Sequence, residues 1–560
     1  MLRAATSVAG KATGAALVGG SGYGAYLYQT NEGTSRMIKA YGNFAPVILS
    51  YRFLEAKEKL FPGSVTEKDW SYLDKTYAKP TIERLGELQG MYTKYGQIAA
   101  GMTNTLSDTW IQELRKLESD VPPRSIDVVH KTIEEELGVP VDAVFDWLDP
   151  KPLGSASIGQ VHSARLRGGT EVAVKVQYPE AGQLFRDDMK TIRKFFEILA
   201  PENVISLSAL EKQNALELDY RMEADNLKQV EQNMRLGGFL PHEVIIPLPI
   251  GDLSTKRLLV MEKIPGPKLN DGVRAYFSEW AKQNGTTLEA LEKEAKLKIE
   301  KEGIPSKYTG PSPTQIERYK FLLNVREKLM NSGIFAYNCT FGRFPQLGGK
   351  QKDYIKINVP LNLPRLVDTL MRVHGYQLMK DGLFNADPHG GNFLLHPDGR
   401  IGMIDYGATK KLTRNERLTA CLLWAALYRN DEDLLWELSI LGGYKSKYGR
   451  KDVLMKLMRF AYDTWGKDLM GNKNVQQFID ELKSEDPWEE GADNLVMASF
   501  MSIRLRSLAL GMNHPVKCSD WWGPIAEEIL KEEGLPYESW NSEQLEKYKV
   551  EPNIQKFKFG

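Results

Sequence analysis

At 560 residues the chain is too long for one compact core, and 42% hydrophobic with 26% charged residues is an ordinary globular composition, so a two-lobed unit with extensions is expected. Lysine plus arginine and aspartate plus glutamate both number 73, which leaves no global field to attract nucleic acid or an anionic membrane. The three cysteines, Cys339, Cys421 and Cys518, stand far apart, excluding a disulfide framework or a cysteine zinc site and fitting a reducing compartment.

Residues 1–30 contain no acid, while Arg3, Lys11 and frequent Ser, Thr and Ala give the composition of an organelle transit peptide. Within them and up to Asn31, the run from Ala12 is uncharged and just long enough to span a bilayer, and Gly20 and Gly24 have the spacing of membrane helix packing. A cleaved leader and a membrane anchor both fit. Residues 31–150 read as a helical N-terminal extension. Ile82, Leu85, Leu88, Met91, Tyr95 and Ile98 recur at helical spacing within 79–118, with Pro80 near the helix start and a second segment at Thr109–Glu118. A further helix runs from a Ser125 cap to Gly138.

The period then switches to two. Gly159–Arg167 and Thr170–Gln177 read as strands joined at Gly168-Gly169, a good hairpin turn. Helical sequence follows from about Ala181 to Met234, and a strand at Arg257–Ile264 ends before Pro265-Gly266-Pro267. Residues 270–365 are charged, rich in Gly and Pro and without a sustained pattern, and read as a surface insertion. The remainder, 366–560, is mostly helical. One hairpin interrupts it, Asn392–Leu395 and Arg400–Ile404 around His396–Gly399.

The chemistry concentrates in that hairpin and its flanks. Asp387-Pro-His-Gly-Gly-Asn392 places an Asp five positions before an Asn, and Asp405-Tyr406-Gly407 follows after the β-turn-β, the spacing of a kinase catalytic loop and its metal-binding Asp-Phe-Gly. Asp387 would serve the attacking oxygen, while Asn392 and Asp405 would hold Mg2+ against the phosphates of ATP. Upstream, Val172-Ala-Val-Lys175 matches the strand that supplies a phosphate-binding lysine. Ala173 and Lys175 share one strand face, so Ala173 can roof an adenine while Lys175 reaches phosphate oxygens, with the valines at 172, 174 and 176 toward the core. The partner of Lys175 would be Glu223, on a predicted helix that also contains Glu217 and Asp219. The strand ending at Glu262 resembles the one entering a kinase hinge, where backbone groups of Glu262 and Ile264 would read adenine. Taken singly, a solvent-facing strand lysine, a buried strand and turn punctuation would explain these matches.

Ordinary kinases carry G-x-G-x-x-G before the lysine strand; this chain has Pro152-Leu-Gly-Ser-Ala-Ser-Ile-Gly-Gln-Val-His162 instead. That segment resembles the alanine-rich loop of the UbiB (aarF-domain) family, which assigns Gly154, Ser155, Ala156, Ser157 and Ile158 to the nucleotide. Lys94-Tyr-Gly-Gln97 resembles the family's K-x-G-Q signature and Glu217-Leu-Asp219 its E-x-D signature. The resemblance implies an α+β, bilobal protein-kinase-like fold. Residues 151–269 would form its N-lobe, 270–365 an insertion, 366–560 the C-lobe with a helical C-terminal extension, and the N-terminal extension would lie across the protein-substrate site. It also implies that Lys94 pairs with Glu217, so that Lys94, Glu217 and Asp219 join Lys175, Glu223 and Asp387 as catalytic candidates. The implied protein is a kinase-like ATPase or small-molecule kinase tied to a lipid or isoprenoid-type ligand at a membrane, in the mitochondrial inner membrane or alternatively a plastid. Gly154 and Ser155 stand where relatives carry alanines, Tyr406 replaces phenylalanine, and no Ala-Pro-Glu follows. Its rivals are a catalytically silent ATP-binding scaffold of a membrane complex and a regulated protein kinase; the intact catalytic set opposes the first, the missing Gly-rich loop and Ala-Pro-Glu the second.

Overall fold

A computed structural model describes residues 32–101, 107–114, 116–119, 123–156, 158–199, 207, 211, 214–492, 495–537 and 556–558. They form an α+β, kinase-like fold. The strands that frame the candidate residues are β1 (Phe145–Leu148), β2 (Gly154–Ser155), β3 (Gly159–Leu166), β4 (Glu171–Gln177), β5 (Val244–Ile245), β6 (Leu258–Glu262), β7 (Leu383–Asn385), β8 (Phe393–Leu395), β9 (Ile401–Met403) and β10 (Thr409–Lys411). Two compact units are present, one of residues up to 224 with 249–263, the other of 225–248 with 264 onward.

The first unit is built on an antiparallel sheet in the order β1-β3-β4-β6, with β2 paired to β3. Gly168 and Gly169 turn β3 into β4 at φ of +119° and +90°, the left-handed region where a side chain would be strained. Val172, Val174 and Val176 point into a core with Leu258 and Val260 and with Val129 and Ile133 of the helix Ile126–Leu137. That helix runs from Ser125, whose side chain makes no capping hydrogen bond, to the expected left-handed Gly138 cap.

The extension departs from the helix read over 79–118. The helix there starts earlier, at Glu67, where the Thr66 backbone N–H donates to Asp69 Oδ2 at 2.7 Å, and Pro80 lies inside it. It stops at Leu88, and the K-x-G-Q residues open a separate helix, Gly90–Gly101. The break consists of Gln89 at φ +54° and Gly90 at φ +57°. A buried ion pair holds it. Arg36 Nε and Nη2 donate to Asp188 Oδ1 and Oδ2 at 2.9 and 2.7 Å, Arg36 also donates to the Leu88 carbonyl, and Met91 N–H donates to Asp188 Oδ2 at 3.1 Å. The groups orphaned by the helix ends thereby find partners. A Cβ on Gly90 would lie 2.7 Å from Asp188 Oδ2, so glycine is required there on two counts.

In the second unit β7 pairs with β10, and β9 lies between β8 and β5, the β5–β9 pairing being parallel. Trp424 of the helix Arg414–Arg429 meets Trp522 of the helix Cys518–Glu532 edge to face, centroids 5.0 Å apart, and Trp522 Nε1 donates to the Met371 carbonyl at 2.7 Å. Where 270–365 gave no pattern, the structure has helices at Leu269–Gln283, Leu288–Glu302 and Pro313–Cys339. The last two bury no residue, so no apolar face turned inward marks them. Local signals make them instead: Thr287 and Ser312 cap their starts, and Pro313 occupies the first turn. Among the described residues no helix is long and apolar enough to cross a membrane; the run from Ala12 to Asn31 lies outside them.

The side chain of Asp188 is 1% exposed, and Arg36→Met would strand its charge. The expected loss is roughly 3–5 kcal/mol, read from urea or thermal unfolding. Asp381, ending the π-turn Gln377–Asp381 that leads into β7, is pushed by burial from its ordinary 3.8 up to about 7. The folded state therefore keeps a proton that the unfolded chain releases, so this group favours folding in acid and loses that contribution as pH rises through about 7. Asp381→Asn should raise the melting temperature at about pH 8 and leave it near the native value at about pH 4.

Candidate functional site

In the first unit the β4 register sets Lys175 opposite Val161 and Leu259. Its Nζ lies 2.8 Å from both Glu223 oxygens, with the two side chains 16% and 3% exposed, and 5.1 Å from the centre of the Tyr220 ring. Gly159 makes this packing possible: a Cβ there would lie 2.5 Å from the Val176 carbonyl oxygen and 2.6 Å from Tyr220 Oη. Lys94 forms a second pair, its Nζ 2.8 and 2.5 Å from the Glu217 oxygens. The signature's glycine has a steric reason. A Cβ on Gly96 would sit 2.5 Å from Leu117 Cδ1, so any larger residue would have to push that leucine aside. The Gln97 side chain falls outside the described residues.

The helix expected to carry Glu217, Asp219 and Glu223 begins only at Tyr220, and Glu217 and Asp219 precede it in a turn. Asp219 is the reason. Its Oδ1 accepts the Arg221 backbone N–H at 3.1 Å, as a helix cap does, and the carboxylate accepts the Arg221 guanidinium at 2.9 and 2.6 Å. Those hydrogen bonds hold the Asp219 carboxyl below the usual range. The geometry thus gives Asp219 to Arg221 and the helix start, while Glu217 and Glu223 take the lysines.

The loop before β3 is tied down from beneath. Gly154 and Ser155 pair with Val161 and Gln160, Ala156 N–H donates to the Gly159 carbonyl at 2.8 Å, and the Ile158 carbonyl accepts Tyr178 N–H at 2.9 Å. Ser157 lies outside the described residues. Ser155 Oγ is 2.8 Å from Tyr178 Oη, which reaches buried Gln160 at 3.2 Å, and Gln160 accepts Arg124 N–H at 2.8 Å. Ile158, Tyr178 and Arg124 line one small cleft with Gln89, Gly90 and Met91, so this loop and the start of the K-x-G-Q helix border the same space. Ala173 is buried on the Lys175 face of β4. Glu262 ends β6 exposed; Ile264 is buried, its Cγ2 2.9 Å from where a Gly402 Cβ would stand.

In the second unit hydrogen bonds lock the acidic loops to one another. Asn385 Nδ2 donates to the Asp405 carbonyl at 2.9 Å and its Oδ1 accepts Asp387 N–H at 2.8 Å, which places both aspartates from one side chain. Asn392 Nδ2 donates to the Asp387 carbonyl at 3.1 Å, which turns its amide oxygen away from that carbonyl. Asp405 Oδ1 accepts Gly407 N–H at 3.0 Å. Tyr406, where phenylalanine is usual, is fully buried, and its hydroxyl accepts Gln377 Nε2 at 2.8 Å, so the extra oxygen is satisfied. Among the described residues no three His, Cys, Asp or Glu side chains converge as a metal cage.

Sequence reasoning missed Asn385 and Arg504. Arg504, on the helix Val496–Gly511, sets an Nη2 3.1 Å from Asp387 Oδ1. No local motif marks either residue.

The ABC1 atypical kinase-like domain matches residues 116–294 and 348–439. An uncharacterized chloroplastic aarF domain-containing protein kinase of Arabidopsis thaliana is 30% identical over 63% of this chain and 51% of its own length. The mouse aarF domain-containing protein kinase 1 is 26% identical over 77% of this chain and 67% of its own. The chain thus spans about half the length of the first of these relatives. A solved structure, a complex of Rv3197 with erythromycin from Mycobacterium tuberculosis, aligns with 82% of this chain and 99% of its own at 20% identity and a TM-score of 0.32. Signature motifs, ABC1 domain and aarF relatives agree, and the chain belongs to the UbiB (aarF-domain) family of atypical kinase-like proteins.

Proposed function

We propose that the chain binds Mg2+-ATP and acts as a kinase-type enzyme, transferring or hydrolysing the terminal phosphoryl group, in the lipid or quinone homeostasis of an organelle membrane. The observation that carries this reading is the doubly bonded Lys175–Glu223 pair, which orients a cation for phosphate oxygens. Asp405 and Asn392 supply the few hard oxygens that magnesium takes beside phosphates, and Asp387 stands for the acceptor side. Ala173, the 154–158 loop and the Glu262–Ile264 backbone would enclose adenine and phosphates. A lipid or isoprenoid-type acceptor fits the family better than a protein, since no Ala-Pro-Glu follows Asp405. The acid-free start of the chain and the chloroplastic label of an Arabidopsis relative support an organelle; we assign the mitochondrial inner membrane, with the plastid as alternative.

Asp405→Asn should remove the magnesium-dependent part of the thermal shift given by ATP, about 2.7 kcal/mol of ligand stabilisation at a hundredfold excess over Kd, without unfolding the protein. An unchanged shift would refute the metal assignment. Lys94 and Glu217 form a latch on the site in this reading. Lys94→Ala and Glu217→Gln should change ATP affinity in the same direction by about tenfold, or roughly 1.4 kcal/mol, in isothermal titration, or permit autophosphorylation absent from the native protein. Two variants identical to the native protein in both assays would leave the pair a structural one.

A further inference from the structure

Four polar residues of the helix Pro313–Cys339, Glu317, Glu327, Asn331 and Asn338, face its own chain. Glu327 Oε2 accepts Ile357 N–H at 2.7 Å; Asn331 exchanges hydrogen bonds with the Ile355 backbone at 2.7 and 2.8 Å, and Asn338 with the Lys352 backbone at 2.8 Å each. Glu317 Oε1 accepts Asn362 Nδ2 at 2.8 Å. The side chains at 327, 331 and 338 recur at helical spacing, so the extended segment 352–357 runs along one polar face.

The opposite face is apolar and uncovered. Phe321, Leu322, Val325 and Leu329 share it and are 67, 62, 37 and 69% exposed. Arg326 and Lys328 are exposed and, at 100° per residue, flank the stripe on either side, while exposed Arg318, one turn before Leu322, falls within it. Both carboxylates of the helix, Glu317 and Glu327, are turned inward by the hydrogen bonds above. On a chain of zero net charge, this face is locally cationic and apolar together. It also falls between the two stretches matched by the family domain, 116–294 and 348–439, so the shared kinase fold does not account for it.

We propose that this face lies against an anionic lipid bilayer, with Phe321, Leu322, Val325 and Leu329 among the acyl chains and Arg318, Arg326 and Lys328 at the phosphate headgroups. An apolar stripe edged by cations, with no acid on that side, is the pattern of a helix lying in the plane of a charged membrane surface. Exposed apolar side chains in such a row are otherwise a liability in water. The inference takes up the membrane part of the proposed function and is independent of the nucleotide part.

The test is co-sedimentation of the full chain with phosphatidylcholine vesicles, with and without phosphatidylglycerol, with ATP-induced thermal shift measured on the same preparations. The native protein should prefer the anionic vesicles, and raised salt should weaken that preference. Leu322→Ser with Leu329→Ser, and separately Arg326→Gln with Lys328→Gln, should each lower vesicle partition about tenfold while the thermal shift with ATP is retained. All four positions are exposed, so the fold should survive. Variants that partition like the native protein would overturn the proposal while leaving membrane attachment to another segment, such as residues 1–31. A native protein that binds neither vesicle would sink both this inference and the membrane part of the functional reading. If light scattering without lipid shows that the serine variants dissociate a native oligomer, the face is a self-contact and the proposal is wrong.

Discussion

The Asp188 side chain is 1% exposed, and a carboxylate so placed must be met by donors on several sides. Arg36 supplies charge, and Met91 supplies a backbone N–H that exists as a free donor only because a helix starts there. Arg36 in turn caps the carbonyl of Leu88, where the preceding helix stops. One ion pair therefore joins the first helix of the extension, the Ala181–Leu199 helix and the break between two others, and that break aims the helix bearing Lys94. Without it, Gln89 would have little reason to hold a left-handed conformation that costs a non-glycine residue free energy. Buried ion pairs are weak contributors to net stability, but one that fixes a helix direction acts on specificity of structure.

The two lysine pairs depend on a second interruption. Were residues 217–223 a continuous helix, Glu217 and Glu223 would be fixed on different faces, and the direction of one would dictate that of the other. Asp219 ends that coupling by capping a helix that begins at Tyr220. Glu217 then belongs to a turn and can follow Lys94, while Glu223, in the first helical turn, follows Lys175. The acid that a motif reading places beside the lysines is the one that keeps the other two acids apart. This separation is what would allow Lys94 to move without displacing Lys175.

Much of this was legible because it is local. The valine alternation of β4, the Gly168-Gly169 turn and the Asp387–Asn392 to Asp405 spacing encode their structures within a few residues, and the sheet register and the loop hydrogen bonds agree with them. What could not be read depends on partners far away in sequence. The stop at Leu88 is imposed by Arg36 and Asp188, and nothing near Gln89 announces it. Gly96 reads as a weak helix residue until Leu117 occupies the space of its missing Cβ. The helices after 287 were missed for another reason. Period-based reading looks for an apolar face turned inward, whereas Pro313–Cys339 buries no residue, holds its chain through Glu327, Asn331 and Asn338, and is marked only at its start.

Arg504 bears on how the acidic loop would act. It comes from a helix beyond residue 439, where the family match ends, yet its guanidinium forms an ion pair with Oδ1 of Asp387. The Asp387 backbone is already set by Asn385 and Asn392, so Arg504 adds control of the side-chain direction. In phosphoryl transfer through a loose transition state, little covalent assistance is needed from the protein, and alignment of acceptor and phosphoryl group matters more than the strength of a base. A carboxylate held at one oxygen by a guanidinium suits alignment, because its orientation no longer relies on the acceptor. The C-terminal helices then do more than cover the second unit: through Arg504 they complete the first layer of support around the residue proposed to face the acceptor.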